Sequence, residues 1–123
     1  MSVAPTVCVV DDDAALLRAL GRLLRSAGYT VETFGNAEDF LAAGHSPPPD
    51  CLVVDVQLGA SSGFALHHRL RSAGLSIPTI FITAYDDAPI REQAQRIGAA
   101  GYILKPFDDT SLVSAIEASL HRP

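Results

Sequence analysis

The sequence has little of what a membrane-spanning, secreted or nucleic-acid-binding protein needs. None of its apolar runs approaches the roughly 18 residues of a membrane span, and its first residues lack the basic region and apolar stretch of a secretory signal. Its net charge is −5, and its arginines are scattered rather than gathered into the basic face that nucleic acid requires. We therefore expect a cytoplasmic domain with no membrane contact and no direct binding of nucleic acid.

Cysteine is also scarce. The two cysteines, Cys8 and Cys51, stand inside apolar runs, where a thiol usually behaves as a small buried hydrophobe. Neither has another Cys or a His at the spacing of a metal site. We therefore expect no disulfide and no cysteine-bound metal.

The composition is that of one globular domain. Apolar residues make up 48% and charged residues 19% of the chain, which argues against disorder, and 123 residues suit a single hydrophobic core. No internal repeat is present, and no low-complexity linker exceeds the three prolines 47–49. We expect one domain over residues 1–123, with its core at about 5–121.

Short apolar runs alternate about five times with segments of helical spacing. The runs predict five strands: Thr6–Val10, Tyr29–Phe34, Cys51–Asp55, Pro78–Thr83 and Gly101–Leu104. A helix is predicted after each strand, the fourth over Ile90–Ile97, and residues 59–63 are predicted as a loop. Strict strand–helix alternation predicts an α/β fold, with a parallel sheet and helices on both of its faces.

Polar side chains follow four of the predicted strands. Asp11 and Asp12 come after the first, Asp55 ends the third, Thr83 ends the fourth, and Lys105 follows the fifth. A doubly wound sheet has its ligand site outside the carboxyl ends of its strands. We therefore expect these side chains to form one site.

Other aspartates and histidines have simpler interpretations. Asp13 is predicted to cap the first helix, and Asp86 and Asp87 to cap the fourth. His67 and His68 are predicted to be solvated.

Lysine is the rarest charged residue, since Lys105 is the only lysine among nine basic residues. A compact ammonium on a flexible stem suits one oxygen of a carboxylate or phosphoryl group. Three carboxylates in one place would repel each other by roughly 4 kcal/mol per pair at 4 Å and an effective dielectric constant of 20. Such a cluster favours a hard divalent cation with oxygen ligands, Mg²⁺ above all.

Four segments together resemble the receiver domains of response regulators in bacterial two-component systems. They are Val9-Val10-Asp11-Asp12-Asp13, Val53-Val54-Asp55, Phe81-Ile82-Thr83-Ala84 and Lys105-Pro106-Phe107. The resemblance covers about residues 5–121 and is closest to FixJ/NarL-like receivers, through residues 29–34 and 105–109. It implies a flavodoxin-like (CheY-like) doubly wound sheet of five parallel strands in the order 2-1-3-4-5, with five helices.

The resemblance implies that Asp55 is the phosphoacceptor. It also implies a Mg²⁺ ion held by Asp11, Asp12, Asp55 and the backbone carbonyl of Gln57. The sequence departs from the family's usual pattern at Gly59, which loosens the chain near that carbonyl.

Further roles follow from the same resemblance. Thr83 and Lys105 would each bind a phosphoryl oxygen, helped by the backbone N–H of Ala84. The Lys105–Pro106 bond would be cis, and Tyr102 would change rotamer when Thr83 moves. Tyr85 is bulkier than many residues at its position, which bears on water access to an acyl phosphate.

The implied function is a phosphorylation-activated switch, not an enzyme in its own right. The implied partners are a sensor histidine kinase or phosphotransfer protein, and an output domain or protein reached through residues 88–121. A phosphorylation-dependent homodimer is also allowed. Only residues 120–123 follow the last helical turn, which leaves two alternatives, a single-domain regulator and a part of a longer one.

Three rival interpretations use the same residues. A haloacid-dehalogenase-like phosphatase would use Asp11 as the nucleophile, with Asp13 in its first motif and Asp86–Asp87 in its last. A flavodoxin-like cofactor binder would need a phosphate loop after the first strand, where three aspartates stand instead. The third rival is a degenerate receiver that only binds partners.

Overall fold

The computed structural model describes residues 3–121 and has a five-stranded sheet covered by helices. The strands of this sheet are β1 (Thr6–Val10), β2 (Thr30–Phe34), β3 (Cys51–Asp55), β4 (Thr79–Thr83) and β5 (Gly101–Leu104). The helices are α1 (Ala14–Ser26), α2 (Ala37–Ala42), α3 (Gly63–Ser72), α4 (Ala88–Arg96) and α5 (Asp109–Leu120). The predicted α/β architecture is confirmed.

The sheet is parallel throughout, in the order β2-β1-β3-β4-β5. This is the predicted flavodoxin-like order. All five strands therefore end at one side, which we call the carboxyl edge of the sheet.

The central strands are apolar on consecutive residues because helices cover both faces. β1, β3 and β4 are almost entirely buried. Their side chains alternate between two core clusters, one on each face. Cys8 belongs to one cluster and Cys51 to the other, and both thiols are free.

Short polar side chains start several helices. Asp13 accepts hydrogen bonds from the backbone N–H groups of Ala15 and Leu16, at 3.0 and 3.1 Å, so its predicted capping role is confirmed. Asp87 stands at the corresponding position of α4 but makes no side-chain cap, and the Asp86 carboxylate pairs with Arg91 instead. The predicted capping of α4 by these two side chains is therefore wrong.

The segment 59–63, predicted as a loop, is more ordered than expected. Gln57–Leu58 pairs antiparallel with Ser61–Ser62 in a small hairpin, and Gly63 is the first residue of α3. A Cβ at Gly63 would lie 2.5 Å from the backbone oxygen of Asp55, a contact too close for any other residue. Glycine thus lets α3 begin directly against the end of β3.

His67 is buried, with 8% of its surface exposed, so its predicted solvation is wrong. α3 turns this ring toward the core, where it lies 5.9 Å from the ring of Phe81. Burial, followed by the charges of Arg71 and His68, lowers the His67 pKa. His68, the next residue, is exposed as predicted.

Three element ends differ slightly from the predicted ones. β2 begins at Thr30 and β4 at Thr79, one residue later than predicted, and α4 begins at Ala88, two residues earlier.

Within residues 3–121, no helix has both the length and the apolar character needed to cross a bilayer.

Candidate functional site

Asp55 is the last residue of the central strand β3, and only 5% of its surface is exposed. Its Oδ1 accepts a hydrogen bond from the backbone N–H of Gln57 at 2.7 Å. Its Oδ2 lies 2.6 Å from Lys105 Nζ. The strand end thus holds a carboxylate in one orientation, largely removed from water.

Asp11 follows β1, the neighbour of β3, and is completely buried. Its Oδ1 accepts from the backbone N–H of Asp13 at 2.9 Å, and its Oδ2 accepts from Lys105 Nζ, also at 2.9 Å. One ammonium therefore bridges two buried carboxylates from adjacent strands.

Lys105 follows β5, and its backbone N–H donates to the Thr83 carbonyl at 2.7 Å. Its side chain is 22% exposed. Burial lowers the Lys105 pKa, but the hydrogen bonds and charges of Asp55 and Asp11 outweigh burial, and the net pKa is raised. Lys105 is therefore charged at neutral pH. The Lys105–Pro106 bond is cis, as predicted.

The pKa of Asp55 is raised, because the positive charge near its carboxylate does not fully offset burial. Burial raises the Asp55 pKa more than the hydrogen bonds from Lys105 and Gln57 lower it, and the Asp11 charge raises it further. A single ammonium thus compensates the buried carboxylates only in part.

Thr83 ends β4 and is completely buried. Its Oγ1 accepts from the backbone N–H of Tyr85 at 3.1 Å and donates to Oε1 of Gln57 at 3.0 Å. The predicted role of Gln57 is confined to its backbone carbonyl, and the contact of its side chain with Thr83 was not predicted. The available signal was period-two alternation, which places residue 57 on the same face as Asp55.

The structure does not bring every predicted residue into the cluster. Asp12 is exposed, and its Oδ2 points toward Gly59, 3.9 Å from where a Cβ on that glycine would stand. Among the described residues, no three His, Cys, Asp or Glu side chains are grouped closely enough to hold a metal ion. The expected meeting of three carboxylates is thus not seen, because Lys105 joins only Asp11 and Asp55.

The donor chemistry nevertheless fits Mg²⁺. Asp11 and Asp55 present buried carboxylate oxygens on either side of Lys105 Nζ, and magnesium prefers oxygen ligands. These two carboxylates and one ammonium carry a net charge of −1. The Asp12 side chain, if it turned toward them, would bring the charge to −2, which one divalent cation balances.

Tyr102 lies on β5, next to Phe81 of β4 in the sheet register. Its hydroxyl is buried and has no hydrogen-bond partner among residues 3–121. Burial raises its pKa. A buried hydroxyl without a partner costs about 1–3 kcal/mol, so this tyrosine has an energetic reason to change its position.

The geometry gives no support to the phosphatase alternative. Asp13 caps α1, and Asp86 pairs with Arg91 on the surface. Its proposed motifs therefore do not meet at the carboxyl edge, whereas Asp11, Asp55 and Lys105 do.

Comparisons with known proteins agree on one family. The sequence profile of the response regulator receiver domain matches residues 7–117. The response regulator protein TodT of Pseudomonas putida is 38% identical over 117 residues, which are 95% of this chain and 52% of TodT. The chain spans about half the length of the curated relatives that it matches.

Solved structures give the same result. A response regulator receiver protein from Burkholderia phymatum is 44% identical, with a TM-score of 0.83 and 97% of each chain covered. The crystal structure of FixJ-N is 35% identical, with a TM-score of 0.86 over 100% of this chain and 98% of that one. The predicted resemblance to FixJ-type receivers is confirmed.

Proposed function

We propose that this chain, which belongs to the response regulator receiver domain family, is switched on when Asp55 accepts a phosphoryl group. Receiver domains are phosphorylation-activated switches of two-component systems rather than enzymes in the usual sense. The observation that supports Asp55 is its buried, oriented carboxylate with Lys105 Nζ at 2.6 Å. Asp11 also pairs with Lys105, at 2.9 Å, but it follows β1, whereas Asp55 ends the middle strand of the five.

Transfer of the phosphoryl group requires the protein to form only one covalent bond. One Asp55 carboxylate oxygen attacks the phosphorus in line, and a P–O bond forms as the bond to the donor's histidine nitrogen breaks. Lys105 then turns from the Asp55 carboxylate to a phosphoryl oxygen, whose charge it neutralises. The backbone N–H of Ala84 donates to another oxygen.

Mg²⁺ would be held by Asp11, Asp12, Asp55 and the Gln57 carbonyl, where it supplies the positive charge that phosphoryl oxygens need. For Asp12 this requires its exposed side chain to turn toward the cluster. With Asp12 turned in, the three carboxylates and Lys105 would carry a net charge of −2, which supports this assignment.

Thr83 and Lys105 convert the covalent event into a conformational one. Each would exchange a resting-state partner, Gln57 for Thr83 and Asp55 for Lys105, for a phosphoryl oxygen. A charge-assisted hydrogen bond is worth roughly 1.5–3 kcal/mol, so the two exchanges supply at most about 3–6 kcal/mol toward the roughly 5.5 kcal/mol that moves an equilibrium from 1:99 to 99:1. Tyr102, with its unpaired buried hydroxyl, would move with Thr83 and alter the surface formed by residues 88–121.

The partners are those of a two-component pathway. A histidine kinase or phosphotransfer protein would supply the phosphoryl group, and an output domain or protein, or a second copy of the chain, would contact residues 88–121. A groove of about 880 Å³ opens beside Lys105 and Ala84, with Leu16, Leu20 and Phe107 in its wall. Its position beside Lys105 and its apolar wall suit the approach of a phosphodonor protein.

Intact-mass spectrometry after incubation with acetyl phosphate and Mg²⁺ tests the acceptor. We expect one added phosphoryl group that hydroxylamine removes, and none in Asp55→Asn. Asp13→Asn is the matched control, because its side chain caps α1, and it should be labelled like the wild type. Labelling that survives in Asp55→Asn and vanishes in Asp11→Asn would instead place the acceptor after β1.

A further inference from the structure

The single proton of the Thr83 hydroxyl already has an acceptor in the unphosphorylated chain. Its oxygen accepts from the Tyr85 backbone N–H at 3.1 Å, and its proton goes to Gln57 Oε1 at 3.0 Å. A hydroxyl has one proton to donate. A phosphoryl oxygen can therefore bind Thr83 only by displacing the Gln57 amide.

The backbone holds Gln57 in place for this contact. Gln57 pairs with Ser62 in the hairpin that follows β3, and its N–H donates to Asp55 Oδ1 at 2.7 Å. One residue thus contacts the acceptor through its backbone and Thr83 through its side chain. Because 26 positions separate Gln57 from Thr83, the contact exists only when the carboxyl ends of β3 and β4 lie side by side.

We propose that the Gln57 side chain is a latch that holds the Thr83 hydroxyl in the resting state. Gln57 is a positioning residue that acts through Thr83. Its hydrogen bond must be broken before Thr83 binds the phosphoryl group, and this lowers the net free energy available for the conformational change. The inference rests on the proposed role of Thr83 and extends it to the side chain of Gln57. The only other role proposed for this residue belongs to its backbone carbonyl. A chain without the latch would reach the active state more easily.

The expected size follows from the competition between two acceptors. Breaking one neutral hydrogen bond inside a protein typically changes an equilibrium by about 2- to 12-fold. Gln57→Met removes the acceptor oxygen and keeps the length of the side chain. This variant should bind beryllofluoride, a phosphoryl mimic that would sit on Asp55, about 2- to 12-fold more tightly than the wild type.

A double-mutant cycle separates the latch from any other effect of residue 57. Beryllofluoride dissociation constants are measured at saturating Mg²⁺ for the wild type, Gln57→Met, Thr83→Ala and the double variant. We expect Gln57→Met to tighten beryllofluoride binding when residue 83 is Thr. The same substitution should leave binding unchanged in the Thr83→Ala background. Thr83→Ser, which keeps the hydroxyl, should restore the effect, and Gln57→Ala should repeat its direction.

The outcomes distinguish the latch from the proposed function. Equal tightening in the Thr83 and Thr83→Ala backgrounds, or no tightening in either, would overturn the latch while Asp55 remains the acceptor. Weaker binding by Gln57→Met would mean that the amide helps to hold the phosphoryl group, which also overturns it. A wild type that neither binds beryllofluoride nor is labelled at Asp55 would overturn the proposed function, and the latch with it.

Discussion

The central strands bury two very different sets of side chains, apolar ones along their length and polar ones where they end. β1, β3 and β4 fill both core clusters with Val, Ile, Leu, Phe and Cys. At the carboxyl edge, Asp11, Asp55 and Thr83 are buried just as deeply. Apolar burial stabilises the fold by roughly 25 cal/mol per Å², whereas each buried polar group costs free energy unless it is paired.

The two regions also differ in the partners that they offer to buried ionisable groups. Burial raises the pKa of Cys8 to about 12 and that of Cys51 to about 11, so both thiols stay neutral and pack as hydrophobes. At the edge, burial also raises the pKa of Asp55, but Lys105 lies in contact with this carboxylate and with that of Asp11. The interior therefore provides stability, and the edge gathers the polar and charged groups of the proposed site.

The largest effect should come from a hole in the interior. Phe81 is completely buried, with its ring 4.7 Å from that of Phe64. Phe81→Ala should lower the free energy of unfolding by about 3–5 kcal/mol, measured by urea denaturation. Tyr85→Ala, at an aromatic that is 60% exposed, should change it by less than about 0.5 kcal/mol. Similar losses in the two variants would break the distinction between interior and surface.

Removing the ammonium at the edge should cost less than that hole, because Lys105 is partly solvated. Lys105→Met leaves Asp11 and Asp55 without their shared cation and should lower the free energy of unfolding by about 1–3 kcal/mol. The exposed pair of Arg91 and Asp86 gives the control, since Arg91→Met should cost less than about 1 kcal/mol. Urea denaturation of both variants measures the difference. A Lys105→Met protein as stable as the wild type would show that the Lys105 ammonium does not stabilise the two buried carboxylates.

Magnesium should stabilise the folded protein by reducing the repulsion between the carboxylates at this edge. It would bind these carboxylates in the folded chain and not in the unfolded one. At a Mg²⁺ concentration ten times its Kd, we expect a gain of about 1.4 kcal/mol, seen as a higher melting temperature. Asp12→Ala should reduce this shift. Asp13→Ala, which loses only the α1 cap, should melt lower but keep the full shift. Equal shifts in Asp12→Ala and the wild type would remove Asp12 from the metal site.

The smallest effect should be a pH dependence from the interior. Burial depresses the folded pKa of His67 below its unfolded value, so the unfolded chain binds more protons between these two pKa values. Stability should therefore fall as the pH drops from about 6.5, the unfolded value, toward the folded pKa. His67→Gln should remove this slope in urea denaturation measured at several pH values. The exposed His68→Gln is the control, and a slope lost there instead would contradict the assignment.

Much of the fold and of the site could be predicted from the sequence, because local physical chemistry encodes it. Hydrophobic period distinguishes strand from helix, and the capping side chain of Asp13 acts within three residues. The rule that parallel strands end at one edge placed Asp11, Asp55, Thr83 and Lys105 together before any contact was known. The structure brings Lys105 to Asp11 and Asp55 as that rule requires.

Which of these side chains touch depends on the three-dimensional packing of distant segments. The Lys105 ammonium joins partners 94 and 50 positions away along the chain, Asp12 stays in solvent, and Gln57 reaches Thr83. Likewise, the rotation of α3 that buries His67 against Phe81 depends on packing across the sheet. Sequence period and capping are local properties of the chain, whereas hydrogen-bond partners and buried faces depend on how distant segments fill the same space.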